Sequence, residues 1–251
     1  MSTSSASTST STAQRLRSVP WSARHALALF AGAWVVLPFA FYVWFAVAAG
    51  LFPVFQPFNE LINSNKPEAN LIFAIVDAIG SLAIIGYLLH RTGANWRDLG
   101  FRGFSWWKAL LYIGGLFIAF ILVVQILYVV VQLLVPGFNP DEPQTNDFDG
   151  LATSLRGWLP VVLVVLPAFV EETVFRGFVF PALSKRFGLI AGAAISSFLF
   201  GLAHVQPNVI VYTFVIGLVL CFLYVRLGSI IPGIALHAFN NYIAFIAISQ
   251  S

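Results

Sequence analysis

The chain has 251 residues, of which 59% are hydrophobic and only 9% charged, with a mean hydropathy of +0.87. Soluble domains carry about 25% charged residues, so composition excludes a soluble globular domain and predicts an all-α, polytopic transmembrane helix bundle. The formal charge of +3 implies no nucleic-acid partner, because the basic residues are spread along segments that flank apolar runs, and the single cysteine, Cys221, excludes an internal disulfide or a Cys-based zinc cluster.

In chain order, residues 1–25 are rich in Ser, Thr and Ala and predict a disordered tail, closed by Arg15, Arg17 and Arg24. Residues 26–248 form the bundle. The first apolar run, Ala26 to Gly50, resembles a signal peptide in its basic start and in Val47-Ala48-Ala49. It is longer than the roughly 7–15 residues of an h-region and is read as a retained first helix. Further runs follow at Asn70 to Leu89, Trp107 to Val135, Trp158 to Leu183, Leu189 to His204, Val209 to Val225 and Ile230 to Ile248. About seven helices result, most near the roughly 20 residues that span a bilayer. Pro160, Pro167 and Pro181 predict bends or breaks in the fourth. Cys221, among apolar neighbours, is expected to pack as a small hydrophobe.

Loop charges orient this bundle. Arg91, Arg97, Arg102, Lys108, Lys185, Arg186 and Arg226 fall on the side of the N-terminal arginines, while the opposite side carries Lys66 and Arg156 with Glu60, Glu68, Asp141, Glu142, Asp147 and Asp149. The positive-inside rule then predicts a multi-pass plasma-membrane protein with its N-terminus in and C-terminus out. Internal repeats are absent from the sequence, which weighs against a transporter.

The polar stretch Glu171-Glu172-Thr173-Val174-Phe175-Arg176 interrupts the fourth run. A charged side chain at the centre of a spanning helix costs roughly 2.5–3.5 kcal/mol even on lenient scales, so such a cluster is a functional-site hypothesis. Glu172 and Arg176 are four apart and share a face, acid before base, the favourable order for an ion pair. Glu171 points elsewhere and is left for chemistry. The competing reading is an ion-pair cluster that only fixes helix packing.

Three more polar residues lie at depth. His204 ends the fifth run, and His237 and Asn241, four apart, share a face of the seventh. Buried polar groups need partners, and here they are one another. If they converge, Glu171 and His204 can deprotonate and orient a water, while His237 and Asn241 donate to the oxyanion formed when that water attacks an amide. Glu171, His204 and His237 also match a zinc triad in residue type, so a divalent metal such as zinc and a metal-free glutamate mechanism are both consistent. Convergence has a geometric condition. At 1.5 Å per residue His204 lies roughly 24 Å along its helix but His237 only about 12 Å along its own, so the fifth helix must start within the interface or tilt. Asp77 is expected to be a locally satisfied acid, and Gln125 and Gln132 to line the cavity or bridge helices. His25 and His90, at helix ends, are given no role.

Glu171-Glu172-x-x-x-Arg176, Phe200-x-x-x-His204 and His237-x-x-x-Asn241, in this order and followed in the first by Gly177-Phe178, resemble the CPBP family. That family comprises the type II CAAX prenyl endopeptidases and the bacteriocin-processing (Abi) membrane proteins. The resemblance covers roughly residues 155–248. It implies an intramembrane endopeptidase, often described as a metalloprotease, acting on a membrane-associated protein or peptide within the lipid bilayer. It implies Glu171 and His204 as the water-activating pair, His237 and Asn241 at the oxyanion, and Glu172 with Arg176 beside them. A non-catalytic binding or self-immunity protein is the alternative from another class.

Overall fold

The computed structural model describes residues 11–64, 67–142 and 157–249. Among these residues every regular element is helical. Lys66, Arg156, Asp147 and Asp149, used above for orientation, and residues 1–10 of the expected tail lie outside the described residues.

The long apolar runs fold as their composition dictates. α1 (Thr12–Arg17) is followed by α2 (Ala23–Leu51), a short α3 (Gln56–Ile62), α4 (Pro67–Thr92), α5 (Trp106–Leu134), α6 (161–187), α7 (Leu189–Leu202), α8 (Pro207–Leu227) and α9 (Ile231–Ser249). Four helices are long and apolar enough to cross a membrane: Ala23–Leu51, Glu68–Thr92, Trp106–Leu134 and Pro207–Leu227. α7 and α9 are apolar but shorter. On α5, Leu111, Ile118, Leu122, Ile126 and Leu133 are all exposed. Their spacing of four and seven residues makes one apolar stripe, as a hydrocarbon-facing helix requires. Gln125 and Gln132 are exposed on this helix as well, so neither lines an interior cavity.

The expected tail is corrected over residues 11–25. Ser11 caps α1 through a reciprocal bond with Gln14, and Leu16, Val19 and Trp21 are buried at 5% exposure or less. Three apolar side chains in a polar stretch suffice to dock it. Lys185 Nζ adds a 2.7 Å bond to Val19 O.

The prolines do not break the helices; they widen them. π-helical turns occupy Gly32–Val36, Val161–Val165 and Thr173–Val179. Each ends two residues before a proline: Pro38, Pro167 and Pro181. A proline lacks the N–H for its i−4 carbonyl and clashes with it. One extra residue in the preceding turn moves that carbonyl away, and the chain stays helical through all three sites.

Helix α6 is central. Its middle packs on α4 and α9, its second π turn on α2, and its C-terminal turns on α1 and α7; α7 packs on α8, and α8 on α5. The core around it holds Phe120, Phe175, Phe178 and Phe200, each at most 1% exposed. The basic loops meet at one end of this bundle. Ser229 Oγ donates to Arg102 O at 2.8 Å, Ile230 N to Gly100 O at 3.0 Å, and Lys185 reaches Val19. At the other end Asn208 Nδ2 donates to Glu142 O at 2.9 Å.

Candidate active site

The second π turn of α6 carries the polar motif. Widening the turn at Thr173 rotates everything after it, so Arg176 is turned back over Glu172 while Phe175 enters the core against Trp34 and Phe200. Side chains supplement the backbone ladder here. Thr173 Oγ1 donates to Phe169 O at 2.6 Å, and the buried Trp21 Nε1 donates to Phe178 O at 2.9 Å while its ring stacks on Phe178 at 4.6 Å.

Glu172 and Arg176 form the pair read from their spacing. Arg176 Nη1 donates to Glu172 Oε1 at 2.7 Å, and the side chains are 0% and 1% exposed. The guanidinium also lies over the Phe200 ring, 4.3 Å from its centroid. Two glycines admit this pair between helices. A Cβ on Gly217 of α8 would stand 3.1 Å from Arg176 Nη2, and one on Gly233 of α9 would stand 3.2 Å from Glu172 Oε2.

His237 joins the two glutamates. Its Nδ1 is 3.1 Å from Glu172 Oε1, and its Nε2 is 3.7 Å from Glu171 Oε2. The first contact fixes the ring; the second is beyond hydrogen-bond length. Glu171 is 21% exposed on its side chain, against 0% for Glu172. Its Oε2 accepts no hydrogen bond from the protein. Among the described residues each glutamate leaves its Oε2 without a protein donor; they differ in that Glu172 is fully buried between a guanidinium and an imidazole, while Glu171 is partly exposed and has no arginine against it.

His204 lies beyond the end of α7, its Nδ1 2.9 Å from Phe200 O. Donation to that carbonyl leaves Nε2 as the ring's other functional nitrogen. The turn that aims it is strained: the next residue, Val205, has φ 63°, a region costly for a β-branched side chain. His204 and His237 both stand edge-on to Phe200, at 5.0 and 5.6 Å between centroids. The two histidines thus share one ring as a neighbour. The described contacts join Glu171 to His237, and none joins it to His204.

Asn241 is half-buried one turn beyond His237. Its neighbour Asn240 is 8% exposed and accepts a short hydrogen bond from Tyr212 of α8. That clamp ties α9 to α8 beside the site, and nothing in the sequence distinguished Asn240 as its partner. Asp77, half-buried on α4, stands close enough to Glu171 for the two carboxyl groups to repel, which places it in the surroundings of the cluster. Cys221 is buried, as its neighbours predicted, with Ser197 Oγ at 3.9 Å from its sulfur.

Glu171, His204 and His237 are the side chains whose chemistry would hold a divalent metal. Among the described residues no three His, Cys, Asp or Glu side chains are gathered as a metal ion would need. The arrangement instead offers an unbonded carboxylate oxygen and two imidazoles, which suits proton transfer and charge stabilisation.

The family model described as Type II CAAX prenyl endopeptidase Rce1-like matches residues 153–243. That span contains the polar motif of α6, both histidines of the site and both asparagines of α9. No curated protein and no solved structure matches the chain.

Proposed function

Residues 153–243 belong to the family of Rce1-like type II CAAX prenyl endopeptidases, and from that premise we propose that the protein is an intramembrane endopeptidase whose base is Glu171. Four apolar helices of spanning length and the family together make this an integral membrane protein with a protease domain. The reading extends them to a multi-pass bundle of seven membrane helices in the plasma membrane, with the end that gathers Arg102, Lys185 and the α8–α9 turn facing the cytoplasm. The substrate class is a peptide bond in a membrane-associated protein or peptide.

The observation that carries the catalytic reading is the asymmetry of the two glutamates. Glu172 is sealed in the ion pair with Arg176 and meets His237 at 3.1 Å, whereas Glu171 stands 3.7 Å from His237 and keeps a side chain that is 21% exposed, against 0% for Glu172. In the proposed reaction Glu171 takes a proton from a water also held by His204. The water oxygen bonds to the scissile carbonyl carbon, and the resulting oxyanion receives hydrogen bonds from His237 and Asn241. The C–N bond then breaks as the amine takes the proton from Glu171. Glu172 and Arg176 act on this chemistry by fixing His237 and α6. The reaction is written with glutamate and histidine alone and takes no step through a metal.

Incubating purified protein in lipid nanodiscs with a library of membrane-anchored peptides tests the reading, using mass spectrometry to detect new termini. Discrete cleavage that persists in chelator is expected. Absence of cleavage across prenylated and unprenylated peptides would favour the binding or self-immunity alternative, and cleavage abolished by chelator and restored by zinc would reinstate the metal.

A further inference from the structure

A second polar site lies away from the glutamates, at the end of the bundle where the basic loops meet. A cavity of about 90 Å³ is enclosed between α1, the α4–α5 loop and the C-terminal end of α8. Its polar lining is Thr12, Arg15, Ser18, Asp98, Arg102 and Tyr224. The volume admits several waters and so one tetrahedral oxyanion.

The lining carries two arginines and one aspartate. Arg15 Nη2 donates to Thr12 Oγ1 at 3.0 Å, which holds the guanidinium and a hydroxyl side by side. Arg102 Nε donates to Arg97 O at 2.8 Å, and its Nη2 forms a loose ion pair with Asp98 Oδ1 at 3.9 Å. That spacing is too long for a hydrogen bond. Tyr224 Oη makes only a 3.4 Å bond to Leu99 O and is 5% exposed. The lining thus holds two guanidinium groups, three hydroxyls and one carboxylate. Guanidinium forks match phosphate oxygens in geometry and charge.

Position narrows the ligand. The cavity touches Tyr224 and Gly228, the last turn and cap of the spanning helix Pro207–Leu227. A group there sits at the depth of lipid headgroups, where phosphate is abundant and basic residues attract anionic lipid. The geometry points to this cavity as a binding site for a phosphate group, from an anionic lipid headgroup or from free phosphate, clamped between the N-terminal helix and the Arg102 loop. An occupied site would tighten α1 on the bundle. Since the same segment carries Trp21, bonded to Phe178 on the helix of the polar motif, occupancy would also stiffen that helix.

The test is independent of any proteolytic activity. Purified protein in a maltoside detergent, which contains no phosphate, is heated with a fluorogenic thiol probe; Cys221, the sole cysteine and buried, reports unfolding. Inorganic phosphate is compared with potassium chloride of equal ionic strength, and phosphatidylglycerol with diacylglycerol in mixed micelles. The unfolding temperature should rise by about 5–10 °C at a hundredfold excess over Kd, and the rise should vanish in the Arg15→Gln, Arg102→Gln double variant but persist in Arg91→Gln, outside the cavity. A response to phosphatidylglycerol alone identifies the lipid as the source, and a response to inorganic phosphate the free ion. No rise with either, or an equal rise in the double variant, overturns the proposal. If the double variant does not accumulate, Arg102→Gln alone carries the comparison, since that side chain is 37% exposed and tolerates replacement.

Discussion

Replacing Glu172 by Gln removes one charge from a pair sealed inside the bundle. The partners are 2.7 Å apart and 0% and 1% exposed, and Glu172 Oε1 also meets His237. Two unit charges near 4 Å interact by about 4 kcal/mol at the effective dielectric found in protein sites, and breaking a buried pair by removing one partner costs about 3–5 kcal/mol because the other charge stays buried. For a chain of this size about 2–4 °C of unfolding temperature goes with each kcal/mol, so Glu172→Gln should unfold about 6–20 °C below wild type. Glu171→Gln should differ. That side chain is partly exposed, bonds to no donor through Oε2 and stands 3.7 Å from His237, so its loss should cost about 0–1 kcal/mol. Thermal unfolding followed by a thiol probe on buried Cys221 measures both. The double replacement Glu172→Gln, Arg176→Met should recover much of the loss, as removing both charges removes the stranded one. Equal unfolding temperatures for the two glutamate variants would refute the division of roles between these residues.

Gly233→Ala should destabilise by about 1–3 kcal/mol, because the added Cβ would stand 3.2 Å from Glu172 Oε2; Gly86→Ala on α4, with open space around it, should be neutral or gain up to about 1 kcal/mol. Trp21→Phe keeps the stack on Phe178 and removes the N–H, so it should cost about 1–3 kcal/mol through the unbonded buried carbonyl, and an unfolding temperature equal to wild type would show that the N-terminal segment does not hold α6. A cysteine introduced by Arg97→Cys in a Cys221→Ala background should be reached by membrane-impermeant thiol reagents only after cells are opened, and labelling of intact cells would reverse the assigned orientation.

Much of this architecture was legible because single interactions decide it locally. The run read as Trp107 to Val135 is the helix Trp106–Leu134, since nothing else satisfies so long an apolar stretch. The Glu172–Arg176 pair followed from helical spacing alone. What was not legible depended on distant partners. His237 meets both glutamates from 65 residues away, and no spacing rule says whether it faces Glu171 or His204. The prolines were read as bends or breaks because a sequence shows the missing N–H but not the wider turn that relieves it. Composition hid residues 11–22: Ser and Thr dominate, yet Leu16, Val19 and Trp21 decide the outcome, and a tryptophan in a polar stretch was the available signal. The two histidines, on different helices, both stand against the ring of Phe200, a neighbour that spacing along the chain does not reveal.

The central claim is that Glu171 is the base, and it is tested most directly by measuring turnover and stability together on Glu171→Gln. The substitution keeps size and shape and abolishes proton acceptance. Once a cleaved peptide has been identified, the account predicts that the variant accumulates in the membrane and unfolds within about 3 °C of wild type, while its turnover falls by about 10²–10⁴-fold. Asn241→Ala, which removes one oxyanion donor and spares the base, should lose about 10²–10³-fold. A Glu171→Gln protein with wild-type stability that still cleaves the peptide within tenfold of the wild-type rate would contradict the account.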